Sequence, residues 1–557
     1  MNRRRLAILV LVVLAMSITE AESQDRSQAR SMVISRGGIV AAESPLAAQA
    51  GAAVLTQGGH AVDAAIAANA VMGLVAPMSN GIGGDLFAIV YEARDNALHG
   101  LNASGWAPAD ISIGELKRQG ITAMPSDGIH TVTVPGAVDG WEKLLTRFGR
   151  MRLDEVLKAA LQVAEEGFPV TEWSADRWSF GAGTLRADAN AARTFLPNDR
   201  APRFGELFRN PDLAWSLRQI AAGGRDAFYQ GEIAQRIVRT CERHGGTLSV
   251  ADLAEFSSEW VTPIATTYRS WTVHELPPNG QGIGALMMLN ILEQFPVGEM
   301  GHNSADALHL MIEAKKLAYA DVLRYVADTR FAKVPVTELL SKDYAKRRSQ
   351  RIHMGRANCE TPPGDPPSPG HDTIYLSAVD RSGNMVSLIQ SNFGFFGSGL
   401  VAEGSGFVLQ NRGSGFSLDP SHPNALAGRK RSLHTIIPAF MSKDQIRIVF
   451  GIQGGWNQSQ AHAQFVSNIV DHGMNIQAAL EAPRFTKLTF AGCDVQMESR
   501  IAPEVRAALS EWGHQIETLG AYSDVVGGGQ AVMRDDSTGI NYGASDPRKD
   551  GAAIPEP

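Results

Sequence analysis

Hydrophobic and polar positions fall into distinct regimes along the chain. A short apolar run, Leu6 to Met16, follows three arginines, Arg3 to Arg5. From Gly38 to Val90 alanine and glycine recur at helical spacing. Ser44-Pro45 ahead of Leu46 reads as a helix start, and Gly58-Gly59-His60 opens a second helix over Asp63 to Leu74. The unbroken apolar stretch Leu86 to Tyr91 predicts a buried strand. The segment between Asp154 and Ala345 reads as mostly helical, with a long amphipathic helix over Ser304 to Asp328. Its charged residues (Glu313, Lys315, Lys316, Asp321 and Arg324) are expected on a solvated face, and His309 as a packed histidine rather than a ligand. Between Thr361 and Gly370 five prolines fall in ten residues, a segment that can enter neither sheet nor helix and reads as an exposed linker. Directly after it the period becomes that of β structure: a strand over Thr373 to Val379, a turn over Asp380 to Asn384, and a returning strand over Met385 to Ser391. Pattern alone thus supports a mixed α/β protein with a β-rich C-terminal third.

The start of the chain has the form of a secretory signal, a charged n-region, a short apolar core and small residues before a cut near Ala21. Eleven apolar residues are too few for a resident membrane helix, which needs about 20. This points to an exported protein, periplasmic or secreted, without a stable membrane span. Composition is ordinary for a globular chain of 557 residues, 44% hydrophobic and 20% charged. The 51 basic and 58 acidic residues give a formal charge of −7, and loss of the leader, with three Arg and one Glu, takes it to −9. Such a chain does not attract a polyanion, so nucleic-acid binding is set aside. Cys241, Cys359 and Cys493 lack any CxxC spacing and form no disulfide framework, although an oxidising compartment allows one pair.

HExxH, GxSxG and SxxK motifs are missing from the sequence. The glycine loop Asn80-Gly81-Ile82-Gly83-Gly84-Asp85 lies between a helix and a strand, the reverse of the strand–loop–helix order of a dinucleotide site. What remains is Asp372-Thr373, at the junction of linker and strand. If the chain breaks there, Thr373 gains an α-amine beside its own hydroxyl. An unperturbed α-amine has a pKa of about 7.7–8.0 and so accepts the hydroxyl proton near neutral pH. Taken alone, the dipeptide reads first as a β-branched residue opening a strand; the neighbouring sequence changes that.

Ordered blocks along nearly the whole chain resemble the gamma-glutamyltranspeptidase family of N-terminal-nucleophile hydrolases. They include Gly58-Gly59-His60-Ala61-Val62-Asp63, Asn80 to Gly84, Thr133-Val134-Pro135-Gly136, Pro277 to Gly282, Glu313 to Asp321, Asp372-Thr373, Gly454-Gly455 and Tyr542 to Arg548. The resemblance implies a four-layer αββα sandwich and self-cleavage before Thr373. The products are a large chain, 22–372, and a small chain, 373–557, held together as a heterodimer. It also implies Thr373 as nucleophile, Ser391 as the hydroxyl partner of its amine, and Gly454 and Gly455 as backbone donors to an oxyanion. Asn411, Arg412, His434 and Thr435 fall at donor-substrate positions, and no metal or organic cofactor is implied. The expected chemistry is cleavage of gamma-glutamyl or related amides through an acyl-threonine, mainly to water.

The sequence departs from that pattern where the family grips the donor's α-carbon. Gly415 stands for the aspartate that holds the amino group, His434-Thr435 for two adjacent serines, and Ser104 for an arginine that pairs with the carboxylate. The connection between Ser417 and Arg431 is also short, so a lid is expected to be missing. An unpartnered zwitterion would cost several kcal/mol to bury. Arg412 remains able to bind a carboxylate bidentately. Acylases and amidohydrolases for small dicarboxylic amides are therefore the alternative, and a non-catalytic exported binding protein is the competing class.

Overall fold

The computed structural model describes residues 28–360, 373–487, 489–490 and 492–557. The expected signal segment 1–21, the proline-rich linker and Asp372 lie outside the described residues. Two seven-stranded sheets, antiparallel throughout, form the centre. One runs in the spatial order Ala552–Pro555, Ile39–Ala42, Ile374–Val379, Met385–Ser391, Asp85–Glu92, Ala97–Ala103, Glu259–Val261. The other runs Val33–Ser35, Ile540–Ser545, Gly529–Asp535, Ile446–Ile452, Ala439–Lys443, Trp271–Glu275, Ile264–Tyr268. Strands from both sides of residue 373 contribute to each sheet.

The period of two along the hairpin explains the layering. Ile374, Leu376, Ala378, Val386 and Leu388 point outward into a core shared with the helices Pro45–Thr56 and Ala61–Val75. Tyr375, Val379, Met385 and Ile389 point inward, against Phe440, Val449 and Val532 of the second sheet. Behind that second sheet lie the helices Gly282–Leu292, Ala305–Tyr325 and Gln458–Val470, around a separate core. The result is α on β on β on α. The hairpin turn is pinned by Asp380, whose carboxylate accepts the Asn384 N–H at 3.0 Å, with Gly383 at φ +89°.

One expectation is corrected. The long helix does not present its charges to solvent: Glu313, Lys315, Lys316 and Asp321 are buried, and only Arg324 of the five is exposed. Later segments cover that face. Lys316 Nζ meets Glu313 Oε1 at 2.7 Å and the Asn358 carbonyl at 3.1 Å, while Lys315 donates to the Lys487 carbonyl. The middle segment is mostly helical, as expected, and Ile264–Tyr268 and Trp271–Glu275 within it lie at one edge of the second sheet. His309 is a packed residue, its Nδ1 2.8 Å from His514 Nε2. Cys359 and Cys493 form a disulfide, and Cys241 is free and buried. No helix among the described residues is long and apolar enough to cross a membrane.

Candidate active site

Register builds the site. Ile374 pairs with Gln390, so Thr373, one step further, comes beside Ser391 on the face between the sheets. The Thr373 hydroxyl lies 3.3 Å from Ser391 Oγ, and both side chains are buried. Ser391 Oγ also accepts the Phe393 N–H at 2.8 Å, which fixes the serine rotamer. On the other side of Ser391, the paired residue is Asp85. Thr373, Ser391 and Asp85 therefore form one row across three neighbouring strands, each step about 4.8 Å.

Asp85, which sequence reasoning did not single out, organises the far end of this row. Its Oδ1 accepts from the Gly105 N–H at 2.7 Å and from Gln410 Nε2 at 2.8 Å. Its Oδ2 lies 2.9 Å from His434 Nε2. His434 Nδ1 accepts the Ile436 N–H at 3.3 Å, so the ring proton sits on Nε2 and donates to Asp85. Burial, then the nearby Arg412 charge, push the imidazole down to about 4, so it is neutral at pH 7. Both its nitrogens are thus engaged within the protein.

Arg412 lies fully buried beside this pair. Its Nη1 donates to Thr435 Oγ1 at 2.9 Å, and its guanidinium stacks 4.1 Å from the Phe393 ring centre. The nearest carboxylate oxygen, Asp85 Oδ2, stands off at 3.9 Å from Nε. Burial lowers the guanidinium to about 9, with Asp85 opposing the shift. Asn411 is committed to loop structure: its amide donates to the Ser126 carbonyl at 2.7 Å and accepts the Gly394 N–H at 2.8 Å.

Gly454 and Gly455 follow the Ile446–Ile452 strand in a turn with φ of +128° and +58°, the left-handed region that favours glycine. Gly451 of that strand abuts the Tyr375 ring, where a Cβ would come within 2.4 Å. Gln281, also missed from sequence, ties two segments together: its Nε2 donates to the Gly455 carbonyl at 2.8 Å and to the Thr435 carbonyl at 2.6 Å. Tyr319 braces the same turn, its hydroxyl 2.6 Å from the Trp456 carbonyl. The 80–85 loop owes its glycines to packing rather than to a phosphate. A Cβ on Gly83 would meet the Val408 carbonyl at 2.0 Å, and one on Gly84 the Ser391 carbonyl at 2.5 Å.

Two hydroxyls and a carboxylate in one buried row across three neighbouring strands of an αββα sandwich are an arrangement for acyl transfer rather than redox or phosphate chemistry. The profile of the gamma-glutamyltranspeptidase family matches residues 47–556. The chain belongs to the gamma-glutamyltranspeptidase family. It is 36% identical over 514 residues to the glutathione hydrolase-like YwrD proenzyme of Bacillus subtilis, covering 91% of this chain and 96% of that one. The oxamate amidohydrolase proenzyme of Klebsiella pneumoniae is 33% identical, with 93% and 98% coverage. Among solved structures, the cephalosporin acylase from Bacillus halodurans superposes with a TM-score of 0.89 at 41% identity, covering 96% of this chain and 99% of that one. The fold is that of the N-terminal-nucleophile hydrolases, and this family member is an autoprocessed amidohydrolase and acyltransferase. The single His/Glu cluster of metal-ligand spacing among the described residues, His309, Glu313 and His514, is closed by its own hydrogen bonds and by Lys316.

Proposed function

We propose that the precursor cuts itself between Asp372 and Thr373 and that the Thr373 hydroxyl is the nucleophile of the mature enzyme. The chains 22–372 and 373–557 then stay together as a heterodimer. The new α-amine takes the hydroxyl proton as Oγ1 attacks the amide carbonyl, and the developing oxyanion is met by backbone N–H groups of the Gly454–Gly455 turn. The C–N bond breaks, the amine leaves with the proton, and an acyl-threonine ester remains. Water, activated by the same amine, releases the acid and restores Thr373. Asn411, Arg412, His434 and Thr435 make up the acyl side of the site, with Arg412 the member that reaches the substrate. The substrates are gamma-glutamyl and related small amides, in line with glutathione hydrolase-like, acylase and oxamate amidohydrolase relatives. Residues 1–21 act as an export signal, placing the enzyme outside the cytoplasm.

The observation that carries this reading is the cross-strand pair Thr373–Ser391, two buried hydroxyls 3.3 Å apart at the first residue of the hairpin. A reducing denaturing gel tests it. From 59.7 kDa over 557 residues, bands of about 38 and about 20 kDa are expected. Sequencing of the smaller fragment should begin Thr373-Ile374-Tyr375, and Thr373→Ala should stay whole. A different first residue, or a cleaved alanine variant, refutes the assignment.

A further inference from the structure

Resting on that reading of Thr373, we infer that Glu43 and Lys549 are positioning residues for the reaction: a buried ion pair, one member on each side of the proposed cut, that holds the head of the Thr373 strand in register with the base of the Gly454–Gly455 turn. Lys549 Nζ lies 2.7 Å from Glu43 Oε2, and both side chains are 1% exposed. The other carboxylate oxygen, Oε1, accepts the Tyr375 N–H at 2.9 Å. The backbone ladder between Ile374–Val379 and Ile39–Ala42 runs as far as the Leu376–Ala42 pair, beyond which the chain turns into the helix Pro45–Thr56. A side chain therefore takes over as acceptor where the strand leaves its neighbour. In an extended chain alternate N–H groups face the same flank, so the Thr373 nitrogen, the amine of the cut enzyme, faces the Glu43 side roughly 7 Å further on.

Lys549 is itself held on sides other than Glu43. Its ammonium lies 4.2 Å from the Trp173 ring centre. Its stem covers Gly528, where a Cβ would meet Lys549 Cγ at 2.9 Å. The Gly528 carbonyl in turn accepts the N–H of Gln453, the residue before Gly454, at 3.0 Å. The block that leads into Lys549 is anchored by buried charges. Arg548 Nη2 meets Glu498 Oε2 at 2.6 Å and Nη1 meets Asp546 Oδ1 at 3.1 Å, while the Asp546 N–H donates to the Gly529 carbonyl at 3.0 Å. This gives the Tyr542–Arg548 block a task that the acyl-transfer steps leave unassigned. The proposed cut would release Thr373 from residue 372, and a chain end frays unless it is tied down. Glu43 supplies the tie two residues in, and Lys549 carries it to the turn. Misplacing reacting groups by about 1 Å costs on the order of 100-fold in rate, so loss of the tie should appear in kcat.

The test compares two double variants, neither of which leaves a buried charge unpaired. Glu43→Leu with Lys549→Met removes both charges and the acceptor for Tyr375 but keeps the packing, an exchange that buried ion pairs tolerate. Glu43→Gln with Lys549→Met restores an acceptor. At a thermal midpoint close to that of wild type, the first double variant should release the small chain, and turn over gamma-glutamyl- or glutaryl-p-nitroanilide, roughly 10- to 100-fold more slowly, with KM within about threefold. The second should recover most of that loss. Acylation by p-nitrophenyl acetate, which needs no acyl-specific contact, should fall and recover in step. A readout without variants is hydrogen exchange at the Tyr375 amide of processed wild type, expected at least about 100-fold slower than in an unfolded peptide. The inference is overturned by a first double variant as fast as wild type, by a rise in KM in place of the fall in kcat, by a second no faster than the first, or by unprotected exchange at Tyr375. If wild type is cut before Thr373 and acylated there while both variants match it, the clamp alone is refuted. If wild type is neither cut nor acylated, the reading of Thr373 falls.

Discussion

Replacing Cys359 and Cys493 by serine separates two roles that one disulfide plays before and after chain cleavage. In the uncut chain the bridge closes a loop of 134 residues. In the chain-entropy account, closing a loop of that length restricts the unfolded state by about 5 kcal/mol. With an unfolding entropy of about 2 cal/mol/K per residue over some 530 residues, that is a fall of about 5 °C in Tm. Residue 373 lies inside the loop, 14 positions after Cys359, so the proposed cleavage would open the ring. The same bridge would then be the covalent link between the two proposed chains, holding them at high effective concentration. Thermal unfolding of the uncleaved Thr373→Ala protein, with and without Cys359→Ser and Cys493→Ser, measures the first role. Gels of the processed protein read the second: one band near full length without reductant, two with it. Two bands without reductant refute the bridge, and one band under both conditions refutes the cleavage. An unchanged Tm in the uncut background refutes the loop-entropy reasoning.

Ser391→Ala removes the acceptor of the buried Phe393 N–H as well as the hydroxyl beside Thr373, so it should cost about 1–3 kcal/mol of stability and slow the appearance of the small chain. Ser391→Thr, which keeps the hydroxyl, should restore processing; equal processing rates for the alanine and threonine variants would contradict the pairing. Gly455→Ala places a Cβ at φ +58° in the turn proposed to hold the oxyanion. Turnover by processed enzyme should fall roughly 100- to 1,000-fold, the typical effect of losing one such donor, while the far-UV spectrum is retained. Acid sensitivity follows from His434, whose folded-state pKa is about 4 against an ordinary value of 6.5. Between those values the unfolded chain binds a proton that the folded one refuses, so stability falls as pH drops from 6.5 towards 4. Urea midpoints at pH 7 and pH 5 should move further apart for wild type than for His434→Gln, and parallel shifts would exclude this histidine as a cause.

The hairpin carrying Thr373 and Ser391 was legible because turn chemistry at Asp380–Asn384 and a period of two on either side are local signals. The layer order was legible only through resemblance, since antiparallel strands from positions as distant as 39 and 552 alternate in one sheet. Asp85 was missed for a similar reason. In sequence it is the first residue after a glycine loop, and only the pairing of its strand with Met385–Ser391 sets it opposite Ser391. Gln281 likewise gains its role from carbonyls at 435 and 455. The charged helix face misled because burial there is conferred by segments around 358 and 487, far along the chain. Strand pairs and covering segments of this kind leave no periodic trace in the residues they act upon.

The row Thr373–Ser391–Asp85 also bears on why the two proposed chains must remain together. Asp85–Glu92 belongs to the large chain and Met385–Ser391 to the small chain, yet they are hydrogen-bonded neighbours along their full length, from Ser391–Asp85 to Met385–Tyr91. On the opposite flank, Ile374–Val379 pairs with Ile39–Ala42, again across the cut. Separation would bare both edges of the nucleophile hairpin and strip Arg412 of Asp85, leaving a buried guanidinium without its counter-charge. The proposed cleavage would therefore change one bond at the head of a strand and leave the ladder around it intact. The sheet that aligns the two hydroxyls in the uncut chain would also hold the amine and hydroxyl of Thr373 in register after the proposed cut.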